Sequence, residues 1–118
     1  MTINHVHFGT KNLAEIQRFY AQYFSFKKKF DHGDGVFLQD ERGFLIAIDP
    51  VDELPSFPAW YHLGFCLPNE AQVFEIYEAM KKNGENIVRE MQGSRGQFAS
   101  FFVKDPDGNK LEVSWHNE

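Results

Sequence analysis

Two stretches of the chain repeat one another: HVHFGTKNLAEIQRFY at residues 5–20 and HLGFCLPNEAQVFEIY at residues 62–77, a spacing of 57 positions. Each copy begins with alternating apolar residues, typical of a strand, and continues with a helical apolar period. A repeat of this length indicates an internally duplicated fold. The residues identical in the two copies are His5 with His62, Phe8 with Phe65, Asn12 with Asn69, Ala14 with Ala71, and Tyr20 with Tyr77.

Each copy predicts a β-α-β-β-β module. Asn12 and Asn69 are placed to cap the two helices, and Glu15 and Gln72, three residues later, complete capping boxes. Gly84, after Asn83, predicts a left-handed end for the second helix. Turns containing glycine separate the strands that follow. The strand candidates are residues 26–31, 35–40 and 43–48 in the first module and 86–92, 97–104 and 109–115 in the second.

The stretch DPVDELPSFPA, residues 49–59 with three prolines, predicts a connection between module 1 (about 1–48) and module 2 (about 60–118). Neither module, at under 60 residues, is expected to be stable alone. We therefore expect residues 1–118 to form one α+β domain. Its two pseudo-symmetric βαβββ modules would share a single cupped mixed sheet, with the helices on the convex face.

Composition narrows the class of partner. The net charge of −5 argues against nucleic-acid binding, which needs a basic face. The one basic run, Lys27–Lys29, is typical of a solvated edge strand, and a phosphate site is the alternative. A single cysteine, Cys66, rules out a disulfide framework and favours a reducing compartment. With no signal-peptide pattern and no apolar run of membrane-spanning length, we expect a cytoplasmic protein.

The strand alternation predicts a metal site. In a strand, residues two apart share a face, so His5 lies opposite Val6 and Phe8, on the face away from the helices. The duplication brings His5 and His62 to equivalent places, and Glu112 in the last strand supplies a carboxylate. Two histidines and one carboxylate suit a divalent ion, Fe, Mn, Zn or Ni. The alternative for each histidine is an ordinary hydrogen-bonded core residue.

Three segments resemble the vicinal oxygen chelate superfamily, which includes glyoxalase I, fosfomycin-resistance enzymes, extradiol dioxygenases and bleomycin-resistance proteins. They are INHVHFGTKNLAEIQRFYAQYFSF, WYHLGFCL and FFVKDPDGNKLEVSW, and the resemblance that rests on them covers essentially the whole chain. The resemblance implies paired βαβββ modules around a metal, with His5, His62 and Glu112 as ligands. It also implies a homodimer, in which the metal ligands come from one chain or are shared between both subunits.

Departures from the family pattern narrow the chemistry. Aligning the last hairpins requires a shift of 65, since Asp105 then matches Asp40, and this places Ala47 opposite Glu112. Glyoxalase I carries a second carboxylate ligand there, so that activity is disfavoured. This chain has few of the basic residues that fosfomycin transferases use to bind the phosphonate, and extradiol dioxygenases are usually longer chains. Neither of these two activities is therefore selected over the other. We therefore expect a metal-dependent lyase, transferase or dioxygenase that acts on a small molecule with neighbouring oxygens.

His7 shares a face with His5 and is the candidate for proton transfer, because imidazole exchanges protons near neutral pH. A supporting role beside the metal is the alternative. The candidate substrate-binding residues on the same open face are Ser100, Phe102, Ser114 and Cys66; for Phe102 a packing role is favoured. The competing function is a binding module of the bleomycin-resistance type, which sequesters a ligand without catalysis. Retention of all three ligand positions favours the enzyme.

Overall fold

The computed structural model describes residues 1–117. It divides into two compact units, whose boundary lies between Ser56 and Phe57, inside the predicted 49–59 connection. Each unit contains one copy of the repeat. The grouping of both modules into one domain stays a prediction.

The first unit contains one helix and four strands in the predicted order. Strand β1 is parallel to β4, while β4, β3 and β2 run antiparallel to one another, so the sheet order is β1-β4-β3-β2. The elements are β1 (His5–Thr10), α1 (Leu13–Phe24), β2 (Lys27–His32), β3 (Gly35–Gln39) and β4 (Leu45–Pro50).

The second unit repeats this topology, with sheet order β5-β8-β7-β6 and parallel pairing of β5 with β8. The α+β class and the duplicated βαβββ modules are thus confirmed. The single continuous sheet was wrong in detail, because each first strand pairs with the last strand of its own module, giving two four-stranded sheets. The elements are β5 (Leu63–Cys66), α2 (Glu70–Lys82), β6 (Asn86–Ser94), β7 (Phe98–Lys104) and β8 (Lys110–His116).

Both helices begin at the predicted asparagines. The Asn12 Oδ1 accepts from the Glu15 amide at 3.1 Å, and the Asn69 Oδ1 accepts from the Gln72 amide at 2.9 Å. The reciprocal half of the first capping box was wrong. The Asn12 amide donates to Thr10 Oγ1, and the Glu15 carboxylate is bound by Arg18.

The helix ends differ from each other. Helix α2 ends as predicted at Gly84, with a φ of 74°, and the Glu85 amide donates to the Met80 carbonyl at 2.9 Å. Helix α1 ends instead with Ser25 in the left-handed position at a φ of 59°, and the Phe26 amide donates to the Tyr20 carbonyl at 3.1 Å. The sequence gives no glycine signal at that end.

The strand alternation predicted from the sequence is confirmed. In β8, Leu111 and Val113 are buried against the helix layer, whereas Glu112 on the opposite face is partly exposed. The helical apolar stripes are buried at Ile16, Phe19, Tyr20 and Tyr23 in α1 and at Val73, Tyr77 and Met80 in α2, whereas Phe74 is 45% exposed. The helix-facing side of each sheet therefore forms the core, and the other face is left for polar side chains.

Strand β2 is the edge predicted from its lysines. Every residue from Lys27 to His32 is exposed, and the Lys28 Nζ lies 3.1 Å from a carboxylate oxygen of Asp31. Among residues 1–117, no helix has the length and apolar character needed to cross a membrane.

Candidate metal centre

The strand register fixes which residues of the two units correspond. Glu112 pairs with Gly64 on one side and Phe102 on the other. Ala47 has the same place in the first unit, between His7 and Phe37. The predicted correspondence of Ala47 with Glu112 is therefore confirmed, and Ala47, a buried methyl group, offers no donor atom.

His62 lies immediately before β5, and both of its ring nitrogens have neighbours. Nδ1 lies 2.9 Å from the Trp60 carbonyl oxygen. A carbonyl only accepts, so Nδ1 donates, and in the neutral ring Nε2 holds the free lone pair. Nε2 lies 3.5 Å from Glu112 Oε1. The backbone thus orients the ring so that its basic nitrogen faces the carboxylate.

The other oxygen of Glu112 is bound by a buried serine. Ser100 Oγ donates to Glu112 Oε2 at 2.6 Å, and Arg89 Nη2 donates to the same Oγ at 2.7 Å. Ser100 is only 4% exposed. The sequence reasoning missed Arg89. In β6 the register shifts between Ile87 and Arg89, which aligns Arg89 with Phe102, and a bulge of this kind is invisible to simple alternation.

Phe102 packs beneath this group. Its ring lies 4.9 Å from the His62 ring in an edge arrangement. The Arg89 guanidinium lies 4.5 Å and the Lys110 ammonium 5.0 Å from the ring centre. Lys110 also donates to the Ala59 carbonyl at 2.6 Å. Phe102 is thus in contact with three polar side chains of the site and supports their positions.

The first unit carries the other two histidines on β1. The His5 Nδ1 donates to the Asn4 side-chain oxygen at 2.7 Å, which leaves Nε2 with the lone pair in the neutral ring. The His7 Nε2 lies 2.6 Å from Asp49 Oδ2, and both side chains are well exposed. Asp49 was assigned to the connection, but it lies within β4. Its sequence signal was its position two residues after Ala47, on the same face.

The structure brings some predicted site residues together and not others. His62, Glu112, Ser100 and Phe102 form one contiguous group in the second unit, while His5 and His7 belong to the first unit. Ser114 is buried and pairs in register with Ser100, and Cys66 is an exposed free thiol. Within residues 1–117, no three His, Cys, Asp or Glu side chains are grouped closely enough to hold a metal ion.

The geometry of the His62–Glu112 pair nevertheless suits a shared ion. Ligand nitrogen and oxygen atoms lie about 2.0–2.2 Å from Zn²⁺, so two ligands of one ion are about 3.0–3.5 Å apart. Nε2 and Oε1 are 3.5 Å apart. The remaining nitrogen and oxygen already have hydrogen-bond partners, an arrangement typical of metal-binding histidines and carboxylates. The donors of this unit therefore fit two corners of a metal site.

Comparison with known proteins establishes the class. The chain belongs to the Glyoxalase/Bleomycin resistance protein/Dioxygenase superfamily, whose family model matches residues 2–113. The sequence matches no functionally curated protein.

Solved structures agree on the fold. The chain is similar to the genomically encoded fosfomycin resistance protein FosX from Listeria monocytogenes, at a TM-score of 0.85 and 19% identity, covering 99% of this chain and 94% of that one. It is also similar to a possible glyoxalase from Bacillus cereus, at a TM-score of 0.80 and 24% identity, covering 96% and 97% of the two chains. At these identities the likeness extends to the fold alone.

Proposed function

We propose that the chain is a metal-dependent enzyme acting on a small molecule with neighbouring oxygen atoms. His5, His62 and Glu112 would hold one divalent ion of Fe, Mn, Zn or Ni. The observation that carries the proposal is the 3.5 Å approach of His62 Nε2 to Glu112 Oε1, with the second atom of each side chain already hydrogen-bonded. An ordinary surface ion pair does not require two such fixed partners.

Three protein ligands leave coordination positions open for a substrate. When bound, the ion would supply Lewis-acid stabilisation of negative charge on the substrate oxygens. The chain contributes orientation: the Trp60 carbonyl fixes the His62 ring, and the Ser100 hydroxyl fixes the Glu112 carboxylate. His7, held through Nε2 by Asp49, presents Nδ1 for proton transfer. Ser114 and Cys66 are proposed to line the substrate pocket together with Ser100 and Phe102.

The reaction class follows from what the first unit lacks. Isomerisation of the glyoxalase I type uses a second carboxylate ligand at the position that Ala47 occupies. We therefore propose a lyase, transferase or dioxygenase reaction.

We also propose that the enzyme is a homodimer in which the two chains complete each other's sites. In such a shared site, one chain would contribute His5 and the other His62 with Glu112. Mixing His5→Ala chains with Glu112→Ala chains would test this, since a shared site then restores one intact metal centre per mixed dimer. Ligands taken from a single chain would give no restoration.

Metal content is the main test. We expect wild-type protein purified without chelators, or incubated with Mn(II), Fe(II), Ni(II) or Zn(II), to contain about one ion per chain. His5→Ala, His62→Ala and Glu112→Ala would lose it. His32→Ala and Glu41→Ala change an exposed histidine and an exposed glutamate that are not among the proposed ligands, and are expected to retain the metal.

Two outcomes would contradict the proposal. Full metal occupancy in all three ligand variants would exclude the assigned ligands. No metal in the wild type under any of these conditions would favour the alternative function, a binding module that sequesters its ligand without catalysis.

A further inference from the structure

Arg89 and Ser100 form a directional chain of hydrogen bonds that ends on the Glu112 carboxylate. A serine hydroxyl has a single proton to donate, and Ser100 gives it to Glu112 Oε2 at 2.6 Å. It therefore accepts from Arg89 Nη2, at 2.7 Å. The direction of both bonds is fixed because a guanidinium has only donors and a carboxylate only acceptors. Burial of Ser100, which is 4% exposed, keeps solvent from competing for these bonds.

Arg89 is itself held in place. Its guanidinium lies over the Phe102 ring at 4.5 Å, and Nη1 approaches the Ser100 carbonyl at 3.5 Å. Phe102 and Glu112 are direct neighbours in the β7–β8 register. The arginine thus contacts both the serine that binds the carboxylate and the ring that packs beside it.

We infer that Arg89 and Ser100 are positioning residues that make Glu112 bind metal through Oε1 alone. This inference rests on the proposed metal function. The Ser100 hydroxyl bound to Oε2 orients the carboxylate so that Oε1 faces His62 Nε2. Without the hydroxyl the carboxylate is free to rotate and to bind an ion with either or both oxygens. Loss of such outer partners generally costs about 10–100-fold in metal affinity.

Replacing Arg89 also tests whether metal affinity rises or falls when its positive charge is removed. A purely electrostatic role for this cation would oppose binding of a positive ion, so its removal would strengthen metal binding. A positioning role predicts the opposite result, because the serine loses the donor that fixes its own hydroxyl. The two roles are therefore separated by the direction of the change in affinity.

The experiment measures Co(II) binding by the full chain, using the dissociation constant and the visible absorption spectrum of the bound ion. We expect Ser100→Ala to raise the dissociation constant about 10–100-fold and to alter the spectrum. Ser100→Thr, which keeps the hydroxyl, should restore most of the affinity and the wild-type spectrum. Arg89→Gln should weaken binding in the same direction but by a smaller factor.

Ser94→Ala and Arg95→Gln serve as matched controls. Both lie in the β6–β7 hairpin, outside the Arg89–Ser100–Glu112 chain, and neither is expected to change affinity or spectrum. A thermal melt of each variant establishes that it is folded.

The inference would be overturned if Ser100→Ala kept the wild-type affinity and spectrum, or if Arg89→Gln bound Co(II) more tightly. In either case the wild type still binds metal, and the proposed function stands. Failure of the wild type to bind Co(II) and also Mn(II), Fe(II), Ni(II) and Zn(II) would instead overturn the proposed function and this inference together.

Discussion

The two units share a fold but carry different chemistry on their open faces. Their helix-facing strand positions are apolar in both, and this conserves one packing arrangement. The open-face positions differ at nearly every point, so only the second unit acquires a linked His62–Glu112 pair. The counterparts facing the helices are Val6 with Leu63, Phe8 with Phe65, Ile46 with Leu111, and Ile48 with Val113.

On the open face, the larger polar side chains of the first unit lie at positions where the second unit has small residues. His7 corresponds to Gly64, and Asp49 corresponds to Ser114. Conversely, Ala47 replaces Glu112, and Gly35 replaces Ser100. One unit therefore pairs a histidine with an aspartate, while the other pairs a histidine with a glutamate that also accepts a hydrogen bond from a serine. The comparison teaches that burial constrains one face of a duplicated sheet and leaves the other free to diverge.

The largest expected effect concerns the helix-facing side of the sheet, which is apolar in each of the two units. Phe101 is fully buried in β7, with its ring 5.0 Å from that of Tyr77. We expect Phe101→Ala to lower the free energy of unfolding by about 3–5 kcal/mol, through lost burial and a new cavity. Urea denaturation measures it. The control is Phe98→Ala on the same strand, where the side chain is 39% exposed. Similar losses for both variants would contradict the assignment of faces.

Next in size is the contrast between the two open-face carboxylates. Glu112→Gln removes a proposed ligand charge and should weaken Co(II) binding by more than about 100-fold, beyond the range that outer partners alone account for. Asp49→Asn changes the carboxylate that binds His7 and should leave Co(II) affinity within about threefold of wild type. Isothermal titration of both variants measures the difference. Equal losses of Co(II) affinity in the two variants would contradict the assignment of the metal-binding carboxylate to Glu112 rather than Asp49.

A third comparison uses the strand glycines. A methyl group at Gly35 would collide with the Ile48 carbonyl and the Asp49 carboxylate, whereas one at Gly64 would meet nothing within 4 Å. We therefore expect Gly35→Ala to cost about 1–3 kcal/mol of unfolding free energy. Gly64→Ala should change it by no more than about 0.5 kcal/mol. Chemical denaturation that ranked the two in the reverse order would disprove the close approach at Gly35.

The smallest effect concerns the helix ends. Ser25 adopts a left-handed φ of 59° at the end of α1, where α2 has Gly84 at 74°. Ser25→Gly should relieve this conformation and stabilise the protein by on the order of 0.5 kcal/mol, after the greater freedom of the unfolded chain is counted. Gly84→Ser should destabilise by about 1 kcal/mol. Thermal melting compares them, and a loss of stability in Ser25→Gly would contradict the strain at that turn.

Much of the fold was predictable because its signals are local. Asn12 and Asn69 accept from amides three residues away, and Gly84 ends its helix by its own conformational freedom. The alternation of Leu111, Glu112 and Val113 reflects the two-residue period of any strand. The repeat then extended these local predictions from one unit to the other, including the correspondence of Ala47 with Glu112.

The sequence by itself thus determined the duplicated modules, the buried faces and the residue types available for a site. Only the tertiary structure decided that each module closes its own sheet, that Asp49 binds His7, and that Arg89 reaches Ser100. The physical reason is that these features depend on strand pairing and on a bulge in β6, both of which join residues far apart in the chain. Alternation specifies the face on which a side chain lies, and the fold determines which partner it meets there.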